Sequence, residues 1–406
     1  MDNQTLNFKK WSVLIIVPIV FWGFYWYVGF DQTIIKLVRF IAAIILLVVN
    51  LKPIILSLSQ RNSYGRYIAI ITLLILISFL ICYIYWGQNP ILTYRAAAGE
   101  FILLYYYILK KYRVCFNDIC KLVIVFATIY VVLWLIALAA APRVLFGNLD
   151  EIHDDRGFFR ILQLNGIDTL CLFFFICLVK IKDRKSKKTL LIITVIASFI
   201  VIFLALSRNL ILSIGVVTII YLFKYQKGAI LFLFLFLILG GYGLISNNVI
   251  FSNMLQMTEK HVEERSENNL RLVEYKQFYK LYPFHVGTAL FGNGEPHVSS
   301  SYGVMEEGYK SAFGFNRSDA GYVHLYVSYG LIMILAVLFL LFKVIKQKVD
   351  HRYLGFKLFV YSLYIVNVLT SAFFSFALSL VICLYVLDEA NNWNTNNSKI
   401  ASLNND

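Results

Sequence analysis

The side chains in this sequence with obvious chemistry are three arginines, Arg208, Arg265 and Arg271, and a carboxylate and an imidazole, Asp319 and His324. Arg208 stands in Ala205-Leu206-Ser207-Arg208-Asn209, between two apolar runs joined by almost nothing. A charge so close to hydrocarbon is costly and usually has a partner or a ligand. A snorkelling side chain that anchors a helix end fits the position as well. Arg265 and Arg271 lie in a polar stretch, where guanidinium groups suit phosphate through bidentate, charge-assisted bonds. Glu267 and Glu274 are spaced for intrahelical pairs with Arg271, and on spacing alone that is the better reading.

Asp319 and His324 belong to Ser318-Asp319-Ala320-Gly321-Tyr322-Val323-His324, where a polar stretch runs into an apolar one. Asp319 is placed to cap a helix. His324 falls about one turn further in, where a neutral histidine bonded to a neighbouring helix is an ordinary finding. Either could act as a general base. Glu100 and Asp168 sit inside apolar runs and could pair with Arg95, Arg160 or Arg208. Phe291-Gly292-Asn293-Gly294 is a turn that opens no phosphate-binding helix of the P-loop kind.

The elements that must position these residues are apolar helices. Of 406 residues, 60% are hydrophobic and 15% charged, whereas soluble chains run at about 45–50% and about 25%. The excess must face lipid, and the apolar runs are continuous rather than alternating, which excludes a β-barrel. We expect an all-α integral membrane protein with about twelve transmembrane helices and one large extracytoplasmic loop. The expected spans are Trp11–Phe30, Ile34–Leu56, Tyr67–Trp86, Ala96–Leu109, Leu122–Ala141, Ile161–Val179, Leu190–Leu206, Leu210–Phe223, Ala229–Ser246, Ala320–Phe342, Tyr353–Leu369 and Ala372–Leu387. Residues 1–246 thus hold nine helices, 247–319 the outer loop, 320–387 three more helices, and 388–406 an Asn-rich, disordered cytoplasmic tail. The aromatics near the outer ends of the first and third spans, Tyr85 and Trp86 among them, read as an interface belt.

Lysine and arginine orient the set. One group of joints and tails carries 22 basic residues and the alternate short joints carry five. The basic side is cytoplasmic, so both termini are cytoplasmic. The net charge of +14 reflects that bias, and no nucleic-acid motif accompanies it. Within the outer loop, Thr258–Tyr282 reads as an amphipathic helix stopped by Pro283, and Gly287–Phe315 as irregular chain. None of the six cysteines lies in that loop, and none has metal-ligand spacing with histidine. No metal or other cofactor is expected.

The order of these features resembles the bacterial O-antigen and capsule polymerase/ligase family, the Wzy-type membrane proteins. The resemblance covers roughly Ser207 to Leu331. It consists of Ser207-Arg208 at an outer helix end, two spans, and a large outer loop. That loop holds the arginine-bearing Asn269-Leu270-Arg271-Leu272 and the turn Leu290 to Gly294, before a helix carrying Tyr329-Gly330-Leu331-Ile332. It implies a glycosyltransferase of the bacterial plasma membrane that acts on the outer face. The donor would be an undecaprenyl-pyrophosphate-linked oligosaccharide, without a cofactor. By the same resemblance Arg208 and Arg271 hold the pyrophosphate, with Arg265 as helper. Membrane lipid, and a chain-length regulator protein, fit as partners.

Ligase members carry a histidine where counting back from Gly330 reaches Asp319. The departure favours the polymerase branch and leaves the base between Asp319 and His324. A flippase or other transporter without covalent chemistry is the rival reading. It calls for polar residues throughout the membrane depth.

Overall fold

The computed structural model describes residues 3–23, 27–146, 152–153, 160–161, 166–183, 188–204, 208–225, 270–281, 285–313, 317 and 320–403. The described chain is helical apart from an antiparallel pair of two-residue strands, Ile152–His153 with Arg160–Ile161. Its helices are α1 (Asn3–Phe21), α2 (Gln32–Leu58), α3 (Gly65–Trp86), α4 (Pro90–Ala96), α5 (Tyr105–Lys111), α6 (Phe116–Ala140), α7 (Ile167–Asp183), α8 (Lys188–Leu204) and α9 (Arg208–Tyr225). They continue as α10 (Leu270–Leu281), α11 (Val286–Phe291), α12 (Ser301–Phe313), α13 (Tyr322–Lys346), α14 (Leu354–Leu369) and α15 (Ala377–Leu403).

Four of them, α2, α3, α6 and α13, are long and apolar enough to cross a membrane. Helix α2 shows why lipid surrounds the bundle. Its Ile34, Leu37, Ile41, Ile44, Val48, Leu51 and Ile55 recur every three or four residues and are all exposed. In water such a stripe would be an aggregation surface, whereas in hydrocarbon it is the required outer face. The chain is therefore a membrane-embedded, all-helical protein. The expected span Ala229–Ser246 lies outside the described residues, as does the first half of the expected loop helix Thr258–Tyr282.

Several boundaries differ from expectation for local reasons. Helix α1 stops at Phe21 rather than Phe30, because Gly23 takes a left-handed conformation at φ 62°. The expected span Ala96–Leu109 is instead a broken element. Asn89 caps α4 through the Ile91 amide at 2.9 Å, a 3₁₀ stretch Ala98–Leu104 follows, and α5 completes it. Nearly all of Ala97 to Leu109 is buried, so this is an inner wall of the bundle. Gly287–Phe315 is not irregular: it carries α11 and α12. The Gly303 amide donates to Ser300 Oγ at 3.0 Å and starts α12, a capping signal hidden in a run of serines. Helix α15 continues to Leu403 where a disordered tail is expected, since neither Gly nor Pro occurs within Ala377–Leu403 to stop it.

Helix α13 is interrupted at Gly330, whose φ of 79° and ψ of −180° are not helical. The interruption frees the carbonyls of Val327 and Ser328. The turn after α11 satisfies them, with Asn293 N to Val327 O and Gly294 N to Ser328 O, both at 2.9 Å. Gly292 and Gly330 permit this approach. A Cβ on Gly292 would overlap the Ser328 carbonyl group, and one on Gly330 the Leu290 carbonyl. The Leu290–Gly294 turn and the Tyr329-Gly330 segment, separate motifs in the sequence, are thus one interlocked unit. Trp86 at the end of α3 completes it, donating from Nε1 to Asn293 Oδ1 at 2.9 Å.

Candidate functional site

The interlocked turn delivers Glu295 to the first turn of α13. Its Oε1 accepts from His324 Nε2 at 2.9 Å, and His324 Nδ1 lies 2.6 Å from Ser371 Oγ. The result is a chain of carboxylate, imidazole and hydroxyl drawn from three segments. Both Glu295 and His324 are about one-sixth exposed, with side-chain exposures of 16% and 17%. The pair is therefore mostly but not fully buried.

Each member is held from behind. Gln88 Nε2 donates to the Glu295 carbonyl at 2.8 Å, while Gln88 Oε1 accepts from His297 N at 3.0 Å and from Ser300 Oγ. One buried amide thereby pins the loop on both sides of Glu295. Ser371 sits in the turn between α14 and α15. Asn367 Oδ1 organises that turn by accepting from the amides of Ala372 and Phe373 at 2.9 and 3.0 Å. Gly321, at φ 53°, lets the start of α13 pass the Asn367 and Val368 carbonyls, where a Cβ would collide.

Arg317 and Glu306 form an ion pair nearby. Arg317 is 7% exposed and binds Glu306 Oε1 from Nε at 3.0 Å and also from Nη2. It reaches Tyr302 OH, and Ser328 Oγ at 3.4 Å. Tyr302 in turn stacks on Trp86 with ring centroids 4.3 Å apart. Burial pushes the Glu295 carboxyl up, but His324 and then Arg317 outweigh it and hold the group down at about 2. Glu295 is therefore an anion at neutral pH. Nε2 of His324 faces this carboxylate and Nδ1 faces the Ser371 hydroxyl. Deeper in the bundle, Tyr329 OH donates to Glu100 Oε1, and Glu100 Oε2 is buried without a hydrogen-bond partner among the described residues.

The expected site residues fall as follows. His324 is at the centre. Asp319 and Arg265 lie outside the described residues. Arg208 is the first residue of α9 and Arg271 the second of α10, and their backbones alone are described. Two contacts tie these helices to the site. Asn209 Nδ2 donates to Thr370 Oγ1 at 2.6 Å, next to Ser371. Tyr279 of α10 stacks on Tyr326 of α13 at 5.2 Å. Asn209 of α9 thus abuts the turn that carries Ser371, and the arginine-bearing α10 abuts the helix that carries His324.

Among the described residues, the partner of Glu100 is Tyr329. Asp168 accepts from the Ser379 amide at 3.3 Å. Tyr85 and Trp86 also contact the loop, Tyr85 stacking on His285 at 4.8 Å. Glu295, Arg317 and Ser371 are missing from the sequence reading. Glu295 follows Gly294 directly and Arg317 precedes Ser318-Asp319, so each adjoins a motif that drew attention for other residues. Among the described residues no three His, Cys, Asp or Glu side chains converge as a metal site. No family model matches the chain, and no curated protein matches it.

Proposed function

We propose that the protein is a polymerase of lipid-linked oligosaccharide repeat units. It would use an undecaprenyl-pyrophosphate-linked donor and a lipid-linked acceptor on the outer face of the bacterial plasma membrane. The observation that carries this reading is the Glu295–His324–Ser371 chain, set where α9 and α10, the helices of Arg208 and Arg271, meet α13 and the turn after α14. In this scheme the bundle has about twelve spans and both termini in the cytoplasm.

The chemistry follows from those groups. The acceptor sugar hydroxyl takes the place of Ser371 Oγ at His324 Nδ1 and gives up its proton there. Its oxygen bonds to the anomeric carbon of the donor as the bond to pyrophosphate breaks. Glu295 fixes the tautomer and stabilises the imidazolium that forms. The departing lipid pyrophosphate needs fixed positive charge, which Arg208 and Arg271 supply, with Arg265 as helper. Arg317 is engaged by Glu306 and shapes the loop. Asp319 is the other candidate base. Replacing Arg208 and Arg271 singly with alanine, and sizing the polymer made in cells at matched protein levels, tests the scheme. Short or absent chains are expected from both. Normal long chains from both are incompatible with it.

A second reading has one observation in its favour. Two interrupted helices meet in the bundle, since Tyr329 beside the break in α13 donates to Glu100 in the 3₁₀ stretch. Breaks of this kind line substrate paths in transporters. Purified protein in liposomes separates the two readings: a transporter moves lipid-linked sugar across, and a polymerase lengthens it on one side.

A further inference from the structure

The end of the bundle away from His324 holds a cavity with a different chemistry. Helix α13 carries His324 near its start and Lys343 and Lys346 near its end, about 30 Å apart at 1.5 Å per residue. A cavity of about 470 Å³ opens there between α3, α13 and α15, lined by Tyr64, Tyr67, Lys343, Lys346, Gln347 and Asp388 among others. A second furrow of about 370 Å³ shares Tyr67 and Phe339 with it and runs along α3 and α13 past Ile70, Ile332 and Leu335, with Arg66 at its edge.

The polar part is cationic and already shaped. Lys343 Nζ donates to the Asn62 carbonyl at 2.7 Å and stands over the rings of Tyr64 and Tyr67 at 4.3 and 5.3 Å. An ammonium has three N–H donors, so this anchor leaves capacity for an anion. Lys346 is exposed and lies over the Phe342 ring at 4.2 Å. Asp388 is the acidic group of the cavity, and its carboxylate is turned to protein. It accepts from Ser63 Oγ at 2.7 Å, from the Tyr64 amide at 3.2 Å and from Tyr106 OH, with Lys110 at 3.5 Å as its counter-ion. The mouth therefore retains the positive charge of Arg66, Lys343 and Lys346.

The adjoining furrow is apolar. Leu335 and Phe339 stand exposed on α13, and Ile332 to Phe339 covers about 10 Å of helix. A phosphate ion would use the cations and leave the furrow empty. A zwitterionic lipid would bring a second cation against two lysines. We propose that this site takes one anionic phospholipid, its phosphodiester at Lys343 and Lys346 and an acyl chain along the furrow between α3 and α13. The basic end is the one that faces anionic lipid if charge orients the bundle, and basic pockets between helices suit such head groups. The lipid would clamp together the two helices whose far ends hold Trp86 and Gly330. The site is independent of the glycan chemistry and stands or falls without it.

The test uses the full chain purified in a neutral detergent. Phosphatidylglycerol, phosphatidylcholine and inorganic phosphate are added separately, with melting temperature and native mass spectrometry as readouts. Phosphatidylglycerol should raise the melting temperature and remain bound, and the other two should do neither. In a K343Q/K346Q variant its affinity should fall roughly thirtyfold, from about one lysine's contribution each. If that variant does not fold, K346Q/R66Q, which alters partly or fully exposed side chains, should weaken binding in the same direction. Equal stabilisation by phosphatidylcholine, equal stabilisation by inorganic phosphate, or unchanged phosphatidylglycerol binding in a folded variant would each overturn the proposal.

Discussion

Gly330 lies so close to Leu290 that a side chain at the glycine would occupy the space of the leucine carbonyl. The contact joins a break in a membrane helix to the turn after α11. The reciprocal contact of Gly292 with Ser328 makes the joint two-sided. It sets the path of the chain into Glu295, because Asn293 and Gly294 hydrogen-bond the carbonyls that the break exposes.

Gly330→Ala and Gly292→Ala should therefore each destabilise the protein by at least about 2 kcal/mol, since each adds a clash to a left-handed φ. Limited proteolysis should cut the segment around Glu295 faster in both variants. Gly308, beside which an added Cβ meets nothing, is the control. Its alanine variant should melt like the wild type.

Glu295→Gln keeps the shape of the loop and removes the anion beside His324. On the proposed scheme, glycan transfer should fall by about 10²–10⁴ with little change in protein level. The same variant reads out the titration. The carboxyl is held below its ordinary 4.5, at about 2, in the folded chain. A group depressed on folding contributes stability above its unfolded value and loses it as pH falls through the folded one. As pH falls below about 4.5, the stability gap between wild type and E295Q should thus shrink. A gap that widens on acidification would contradict the assignment.

Arg317→Ala leaves Glu306 in a pocket where it is 15% exposed. Removing one partner of such a pair costs about 3–5 kcal/mol when it is well buried. Arg317→Lys should recover only part, because an ammonium cannot bridge Glu306, Tyr302 and Ser328 as the planar fork does. The R317A/E306Q double variant should be less unstable than the sum of the singles. Melting curves of the four proteins decide it.

How far the sequence reaches is clearest in α2 and α3. Expected as Ile34–Leu56 and Tyr67–Trp86, they run Gln32–Leu58 and Gly65–Trp86. Lipid demands apolar residues at every outer position, so such helices announce themselves. The broken element Pro90–Lys111 was legible only as one short span, because its 3₁₀ turn is stabilised by burial rather than by local propensity. His324 was legible as a residue with chemistry, but its partners were not. Glu295 and Ser371 stand 29 and 47 residues away and reach it only through the interlocked turn and the Asn367 turn. No local pattern encodes such a meeting. The two glycine motifs were visible singly, and their pairing exists only in three dimensions.

The decisive measurement is chain extension by purified protein in liposomes supplied with lipid-linked repeat units, comparing wild type with His324→Ala. Wild type should build long chains on one face of the membrane. The variant, folded and inserted to the same extent, should lose extension by about 10²-fold or more. Undiminished extension by H324A would remove the imidazole from the reaction. Movement of substrate across the bilayer by the wild type, with no lengthening, would replace glycosyl transfer by transport.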